Sequence, residues 1–277
     1  IAPVEVAIED PLSCTRFMSV RIDNVKVGES PLWLKERLEA IGQRSINNIV
    51  DTTNYVQFSL NKPMHAYDAR TIKGTLKARF AKKGETLMTL DDKNLSLDDK
   101  TLVIADDEKV LGLAGIKGGK FSGIQADTTS VILESANFDP ILIRKTAEKY
   151  AIKTDASKRF ENGIANNLII EGLHMTANLI HEICADAKKG EVTDIYPTKD
   201  VSYYVGISKK ELNDILGTSY DDALIKKTLA QLSFAYEILT PSIYIKETYP
   251  TLLGAGYKNP SSMRLDAPHL FSCSSLV

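Results

Sequence analysis

The sequence predicts an α+β fold, because strand-like and helical segments are grouped along the chain rather than strictly alternating. Strand-like runs are concentrated between residues 75 and 135, and helical patterns occupy most of residues 139–188. The 277 residues are 43% hydrophobic and 25% charged, which is typical of a globular protein. A chain of this length can form one large domain and a smaller one. We therefore expect a principal mixed α and β domain followed by a smaller unit.

The first expected elements are a strand and a helix. Residues 17–27 alternate apolar and polar side chains as a half-buried strand does. Ser30 is then a candidate N-cap for a helix that runs through Leu34 and Leu38 and ends at Gly42. Further strand-like runs, separated by glycine and aspartate turns, cover residues 75–81, 86–90, 101–105, 109–114 and 130–135.

Helical signals dominate after residue 138. Asp139 and Pro140 form a cap and first-turn pair that predicts a helix to about residue 150. A longer helix is predicted over about residues 166–188, where apolar residues recur along one stripe.

The sequence pattern changes after residue 196, which indicates a second region. Ser208 and Ser219 are expected to begin two short helices that meet at Gly217, which is a helix-turn-helix arrangement. The second helix carries only Lys226 and Lys227 as a basic pair. Packing is therefore the expected use of this motif rather than the reading of DNA.

Charge and cysteine content exclude several classes of protein. A net charge of -2 argues against a general nucleic-acid clamp, although it allows a local basic face. Without a long apolar run or a signal-peptide pattern, we expect a cytoplasmic protein with no membrane partner. Cys14, Cys184 and Cys273 are too widely spaced for a disulfide framework or a zinc site, and the first two are expected to be core residues. The first residue is Ile1 and the last lie within an apolar segment, so we expect a fragment of a longer protein.

The stretch V-I-L-E-S-A-N-F, residues 131–138, places Glu134 among apolar residues. Burying an unpaired carboxylate costs on the order of several kcal/mol, so such a group needs a basic partner, a capping role or a ligand. On this pattern alone, a glutamate at the end of a strand that turns to solvent is the simpler interpretation. Other polar clusters are needed to favour a functional role.

Four such clusters accompany Glu134. They are R-S-I-N-N-I-V-D-T-T-N-Y-V at 44–56, K-P-M-H-A-Y-D at 62–68, L-G-L-A-G-I-K-G-G-K-F-S-G at 111–123 and K-T-D-A-S-K-R-F-E-N-G at 153–163. Taken singly, each has a structural explanation: amides that secure loops, a satisfied histidine, a hairpin turn, and a short capped helix. In the third cluster, Gly115, Gly118 or Gly119 is expected to supply a left-handed turn or a close backbone approach. That cluster matches neither glycine pattern of a nucleotide phosphate site.

In this order, the five clusters resemble the editing module of bacterial phenylalanyl-tRNA synthetase beta subunits, from about residue 5 to residue 190. The resemblance implies a mixed-sheet tRNA-editing domain over residues 1–196. Residues 197–237 resemble the start of the family's next small domain, a partial helix-turn-helix-like unit.

The resemblance also implies an activity, the hydrolysis of tyrosine wrongly attached to the phenylalanine tRNA. A phenylalanine pocket rejects an analogue with an added hydroxyl by a factor of only about 10², so a second site must recognise that hydroxyl. Glu134 is the expected reader, since a phenol can donate a charge-assisted hydrogen bond to its carboxylate. By resemblance, the catalytic candidates are His65, Arg44 and Thr154, and the substrate-binding candidates beside Glu134 are Ala156, Gly118 and Asn54.

The expected mechanism uses a bound water, assisted by the terminal hydroxyl of the tRNA, because the matched clusters contain no metal-ligand set or nucleophilic triad. His65 as a general base is the alternative. Family membership would imply the acceptor end of tRNA(Phe) and an alpha subunit in an α₂β₂ assembly as partners. It implies no cofactor for this fragment, and ATP and magnesium for the full ligase.

Two other interpretations stay open. The main domain could be a non-catalytic module that binds tRNA or a subunit. The last residues, 238–277, resemble the opening of NlpC-type cysteine peptidases, in which Cys273 would be the nucleophile. The chain contains no histidine after Cys273 to activate that thiol, so we do not expect peptidase activity from it.

Overall fold

The computed structural model describes residues 1–232, 234–239 and 242–249, which belong to two compact units. The first unit is Ile1–Thr198 and the second begins at Lys199. The elements of the first unit are β1 (Val6–Ile8), β2 (Cys14–Asp23), α1 (Leu32–Ala40), α2 (Asn48–Leu60), β3 (His65–Asp68), β4 (Leu76–Phe80), β5 (Thr86–Met88), β6 (Asn94–Ser96), β7 (Leu102–Ala105), β8 (Val110–Leu113), β9 (Lys117–Gly118), β10 (Ser130–Phe138), α3 (Pro140–Lys149), α4 (Asp155–Phe160), α5 (Asn167–Ile183) and β11 (Lys188–Ile195).

The first unit is built on two main sheets. One has the strand order β1-β4-β7-β8-β9, and it is mixed because β1 and β4 are parallel while its other pairs are antiparallel. The other has the order β11-β2-β10-β3 and is antiparallel. The prediction of an α+β fold is confirmed.

Strand β10 is buried on both of its faces. Ile132, Ala136 and Phe138 belong to the apolar cluster shared with the mixed sheet and α3. Val131 and Leu133 point the other way, into the cluster formed with α5. This double burial explains why the strand reads in sequence as a nearly continuous apolar run, without the alternation of a strand that has one wet face.

Several predicted element boundaries are corrected by the structure. Ser30 does not cap α1, because its hydroxyl donates to Asp51 and the N-cap position is occupied by Pro31, which forms no side-chain cap bond. Helix α2 was not expected, since residues 44–56 read as polar loop residues; Asn47 begins it by accepting from two backbone N–H groups of the first turn. Helix α5 ends at Ile183, earlier than predicted, and β10 extends to Phe138.

The second unit contains β12 (Val201–Ser208), α6 (Lys209–Leu216), α7 (Asp222–Gln231), β13 (Tyr236–Leu239) and β14 (Ser242–Tyr249). Its strands are antiparallel in the order β12-β14-β13. Ser208 caps α6 as predicted, whereas α7 is capped by Asp221 instead of Ser219. Gly217 adopts the left-handed conformation between these two helices.

The sheet of the second unit includes residues that the sequence assigned to the peptidase-like tail. Residues 238–239 pair with 242–243, and the whole of 242–249 pairs with β12. Cys273 lies outside the described residues. Throughout the part of the chain that the structure describes, no helix is long and apolar enough to cross a membrane.

Candidate functional site

Glu134 lies in the middle of β10 and is 7% exposed, so it does not turn to solvent at a strand end. It pairs with Ser19 of β2 on one side and with His65 of β3 on the other. Because residues paired across antiparallel strands point to the same face, Glu134 and His65 share one face of the sheet. Burial raises the pKa of the Glu134 carboxyl to about 6, although the hydrogen bond from Tyr67 and the charge of Lys62 lower it. The group is therefore mainly ionised at neutral pH.

Tyr67 holds one of the two carboxylate oxygens. It lies two residues after His65 on the same strand face, and its hydroxyl donates to Glu134 Oε2. Burial and the neighbouring Glu134 charge raise the pKa of Tyr67 well above its usual value, so the phenol stays protonated. Among the described residues, no group donates to Glu134 Oε1, and this oxygen is not a fully buried atom. It remains available as an acceptor.

Lys62 is fully buried in the loop that precedes β3. Its ammonium donates to the backbone carbonyl oxygens of Pro63 at 2.7 Å and Ala136 at 3.0 Å. It also lies 5.2 Å from the centroid of the Phe160 ring. No carboxylate in the described chain forms a direct ion pair with it. Burial lowers the pKa of Lys62 to about 7, and the charge of Glu134 acts in the opposite direction.

His65 and Gly118 are packed against each other. The rings of His65 and Tyr67 meet edge to face with centroids 4.4 Å apart. A Cβ added to Gly118 would lie 2.7 Å from His65 Cε1, so the close approach needs glycine. Nε2 of His65 is buried and has no hydrogen-bond partner in the described structure. Burial lowers the pKa of His65 to about 4, so its imidazole is neutral at physiological pH.

The two roles predicted for the glycine-rich cluster, a left-handed turn and a close backbone approach, belong to different glycines. Gly115 has a φ of +66° and supplies the left-handed turn. Gly118 and Gly119 keep negative-φ backbone, and close packing explains them instead. A Cβ on Gly119 would lie 2.5 Å from the Leu111 carbonyl oxygen.

Thr154 connects this glycine-rich segment to α4. Its hydroxyl accepts from the Ser157 backbone N–H at 3.0 Å and donates to the Ile116 carbonyl at 2.9 Å. It is therefore the N-cap of α4, within a capping box shared with Ser157. Ala156 follows in the first turn and is half-buried.

Arg44 and Asn54 are not joined to these residues by any hydrogen bond, ion pair or ring contact in the described structure. Arg44 is exposed in the segment between α1 and α2, and Asn54 is half-buried on α2. The segment that carries Arg44 is held by Asp51, which accepts from the Ser45 hydroxyl and from the Ile46 backbone N–H at 2.8 Å. The structure thus groups Glu134, His65 and Gly118 directly and leaves Arg44 at the surface.

Two clefts lie elsewhere on the first unit. One of about 300 Å³ is bordered by Leu87, Leu111 and Phe121, and a wider one by His181 and Lys188. Neither is lined by Glu134 or His65. Within the described ranges, no group of three His, Cys, Asp or Glu side chains is placed to hold a metal ion.

Sequence reasoning missed Lys62 and Tyr67, although both lie in the cluster K-P-M-H-A-Y-D. The two-residue spacing of His65 and Tyr67 could have placed them on one strand face. Nothing local indicates that Lys62 is buried, since lysine is rarely buried without a charged partner.

Known proteins resemble this chain over most of its length. A profile of the B3/4 domain family matches residues 13–185. The phenylalanine–tRNA ligase beta subunit of Carboxydothermus hydrogenoformans is 38% identical over 245 residues, which cover 88% of this chain and 31% of that protein. The phenylalanine–tRNA ligase beta subunit of Protochlamydia amoebophila is 41% identical over 231 residues, which cover 83% of this chain and 29% of that protein. The chain thus spans about a third of the length of these curated relatives.

Among solved structures, the crystal structure of an N-terminal fragment of the phenylalanyl-tRNA synthetase beta subunit from Pyrococcus horikoshii aligns with a TM-score of 0.46 and 13% identity. The alignment covers 90% of this chain and 69% of that one.

Proposed function

The chain belongs to the B3/4 domain family and is homologous to bacterial phenylalanine–tRNA ligase beta subunits, and on this premise we propose that its first unit removes tyrosine wrongly attached to the phenylalanine tRNA. The reaction is hydrolysis of the aminoacyl ester. Water adds to the ester carbonyl carbon, the bond to the ribose oxygen breaks, and that oxygen leaves with a proton.

The observation that carries the proposal is that only one of the two carboxylate oxygens of Glu134 accepts a hydrogen bond from the described residues. Its Oε2 is occupied by Tyr67, whereas Oε1 accepts no hydrogen bond from the described residues. A tyrosine hydroxyl that reaches Oε1 gains a charge-assisted hydrogen bond, which phenylalanine cannot form. With a pKa of about 6, the carboxylate carries the necessary charge at neutral pH.

The neutral state of His65 favours a role in substrate positioning. A base with a pKa of about 4 has little tendency to take a proton from water at neutral pH. Its Nε2 is buried and unpartnered, so a hydrogen bond from this atom to the ester or the terminal adenosine requires the packing around it to open when substrate binds. We propose that the attacking water is assisted by the terminal ribose hydroxyl of the tRNA, and that Arg44 contacts the adenosine from the surface.

Thr154 and Ala156 would form the wall of the pocket. The hydroxyl of Thr154 already makes hydrogen bonds with Ser157 and Ile116, which favours this role over direct participation in the reaction. Gly118 would let the backbone approach the substrate beside His65. Asn54 would bind substrate from α2. In the intact protein, we propose that this unit serves an assembly with an alpha subunit, which carries out aminoacylation with ATP and magnesium.

The proposal is tested by comparing the deacylation of tyrosyl-tRNA(Phe) and phenylalanyl-tRNA(Phe) by the full chain and by Glu134→Gln. We expect wild type to hydrolyse the tyrosyl ester selectively. The substitution removes the charge but keeps the shape, and it should reduce the preference by roughly 10- to 100-fold, the value of about 1.5–3 kcal/mol for a charged hydrogen bond.

Glu171→Gln is the matched control, because Glu171 is exposed on α5 and the change should have no effect. A folded wild type without esterase activity would contradict the proposal and favour a module that only binds tRNA or another subunit.

A further inference from the structure

The segment 62–67 brings two buried polar groups to Glu134 that the proposed hydrolysis does not use. Lys62 is 0% exposed and Tyr67 is 2% exposed. Tyr67 donates to Glu134, and the charge of Lys62 acts on the same carboxylate. Polar groups this deeply buried cost stability unless their hydrogen bonds are made. Tyr67 makes its bond at the Glu134 carboxylate, and Lys62 makes one of its bonds to Ala136, two residues further along β10.

Tyr67 offers Glu134 the same chemical group that a tyrosine substrate would offer. A carboxylate has two oxygens and about four lone-pair directions, so one phenol can be bound without excluding a second. By holding Oε2, Tyr67 restricts rotation of the carboxylate and leaves Oε1 as the acceptor. A phenylalanine at this position would leave both oxygens without a described donor.

Lys62 supplies the charge that opposes the carboxylate. Its ammonium is bound by the carbonyl of Ala136, which follows Glu134 by two residues on β10, and by its own neighbour Pro63. Gly172 of α5 packs on the lysine stem, since an added Cβ would lie 2.9 Å from Lys62 Cγ. The ammonium is thus held at Ala136, two residues along β10 from Glu134, and among the described residues it forms no direct ion pair that would occupy Oε1.

We propose that Tyr67 and Lys62 are positioning residues for the Glu134 carboxylate, Tyr67 by directing Oε1 toward the substrate phenol and Lys62 by keeping the carboxylate ionised inside the protein. This inference rests on the proposed function of Glu134. It assigns the preference for tyrosine to Glu134 of β10, Tyr67 of β3 and Lys62 in the loop before β3.

The charges around Glu134 give the inference a measurable pH dependence. The titratable groups that face it are Tyr67 and His65 of β3, Lys62 before β3, and Cys14 of β2. Burial and the Glu134 charge raise the pKa of Cys14, so that group stays a neutral thiol, and His65 is neutral above about pH 4. Burial lowers the pKa of Lys62 to about 7, so its ammonium is charged near pH 6 and loses its charge toward pH 8. The Tyr67 hydroxyl and the charged Lys62 are the groups that lower the pKa of Glu134. Removing either should let burial raise it further.

The test measures the ratio of tyrosyl to phenylalanyl ester hydrolysis between pH 5 and 8 for the full chain, Tyr67→Phe and Lys62→Gln. Both esters share the same hydrolytic chemistry, so the ratio isolates recognition of the hydroxyl. For wild type, the ratio should fall as the pH drops through about 6. In each variant, the midpoint should rise by roughly one pH unit, and the ratio at pH 6.5 should fall roughly threefold.

A control variant and the midpoint itself separate this role from a structural one. Tyr150→Phe removes a phenol elsewhere in the unit, where it contacts Thr101 and Ser96, and should leave the midpoint unchanged. A loss of stability alone would slow both esters without moving the midpoint. Lys62→Gln keeps a donor for the carbonyls, and if it fails to fold, Tyr67→Phe, which removes only one oxygen, decides the question.

The outcomes distinguish the two proposals. If Glu134→Gln abolishes the preference but both other variants keep the wild-type midpoint, the positioning role is wrong and the reading role of Glu134 stands. If wild type shows no preference for the tyrosyl ester, both are wrong. Titration of the ¹³C-labelled Glu134 carboxyl by NMR checks the same upward shift without depending on hydrolysis.

Discussion

Burial reverses the usual order of the glutamate and histidine pKa values at this site. Glu134 keeps its charge at neutral pH but lies close to its titration point, with a pKa of about 6. His65, which ordinarily titrates near neutrality, is neutral because burial lowers its pKa to about 4. The carboxylate rather than the imidazole is therefore the group whose charge changes in the mildly acidic range. This favours Glu134 as the pH-sensitive part of substrate recognition.

Gly118 provides a prediction at the same scale. Its backbone angles are open to any residue, but a Cβ would lie 2.7 Å from His65 Cε1 and 3.2 Å from Nε2. Gly118→Ala should push the imidazole aside and reduce deacylation of tyrosyl-tRNA(Phe) at least 10-fold, because about 1 Å of misplacement near a reacting group costs up to 10²-fold.

Gly28→Ala is the comparison for Gly118→Ala, since Gly28 has no heavy atom within 4 Å of the added Cβ. We expect it to keep wild-type rates. Equal rates for both variants in the deacylation assay would mean that the imidazole position is unimportant.

At the scale of elements, helix α4 is joined to the glycine-rich segment by the Thr154 hydroxyl and by Phe160, which packs close to Gly115. Thr154 caps α4 through the Ser157 N–H and also binds the carbonyl of Ile116, two residues before Gly118. The short helix therefore helps to set the position of the backbone that packs on His65. Thr154, which the resemblance predicts to be catalytic, therefore also has a structural role in the fold.

Thr154→Ala tests this connection. Loss of an N-cap lowers the free energy of unfolding by about 1 kcal/mol. The first turn of α4 and the backbone at Ile116 should become less ordered. Urea unfolding monitored by circular dichroism should show the loss of stability, and amide exchange should become faster for Ser157 and Lys158.

Thr154→Ser keeps the hydroxyl and should retain most of the stability and activity. If Thr154→Ser were as damaging to hydrolysis as Thr154→Ala, the methyl group rather than the hydroxyl would be the important feature of this residue.

At the scale of the whole molecule, the two apolar clusters that stabilise the first unit are formed within that unit. Their buried members run from Val4 to Ala187, and β11 completes the antiparallel sheet by pairing with β2. A domain that contains its own core is expected to fold alone.

A chain that ends at Thr198 should therefore fold cooperatively and retain the slow amide exchange of β10. Its thermal unfolding and exchange can be compared with those of the full chain. A chain that ends at Ala187 is the control, because it lacks β11 and exposes the edge of β2, and it should be clearly less stable. A truncation at Thr198 that remained unfolded would show that the second unit is needed for the first to fold.

The sequence by itself determined the fold class, six of the fourteen strands in the described residues, the helices whose N-caps are Asp139 and Ser208, and the order of the polar clusters. These follow from local periodicity, turn residues and caps, which are properties of neighbouring residues. It missed α2, because the polar residues at 47–54 obscured its apolar positions. It also missed the true caps of α1 and α7, where several polar residues compete for one position.

Only the tertiary structure decided which polar groups meet Glu134. Tyr67 and Lys62 are separated from it by 67 and 72 positions in the sequence, and only strand pairing and burial bring them together. Burial also sets the charge of each group, since the cost of desolvation depends on everything that surrounds it. Sequence patterns describe neighbours along the chain, whereas the site is formed by neighbours in space.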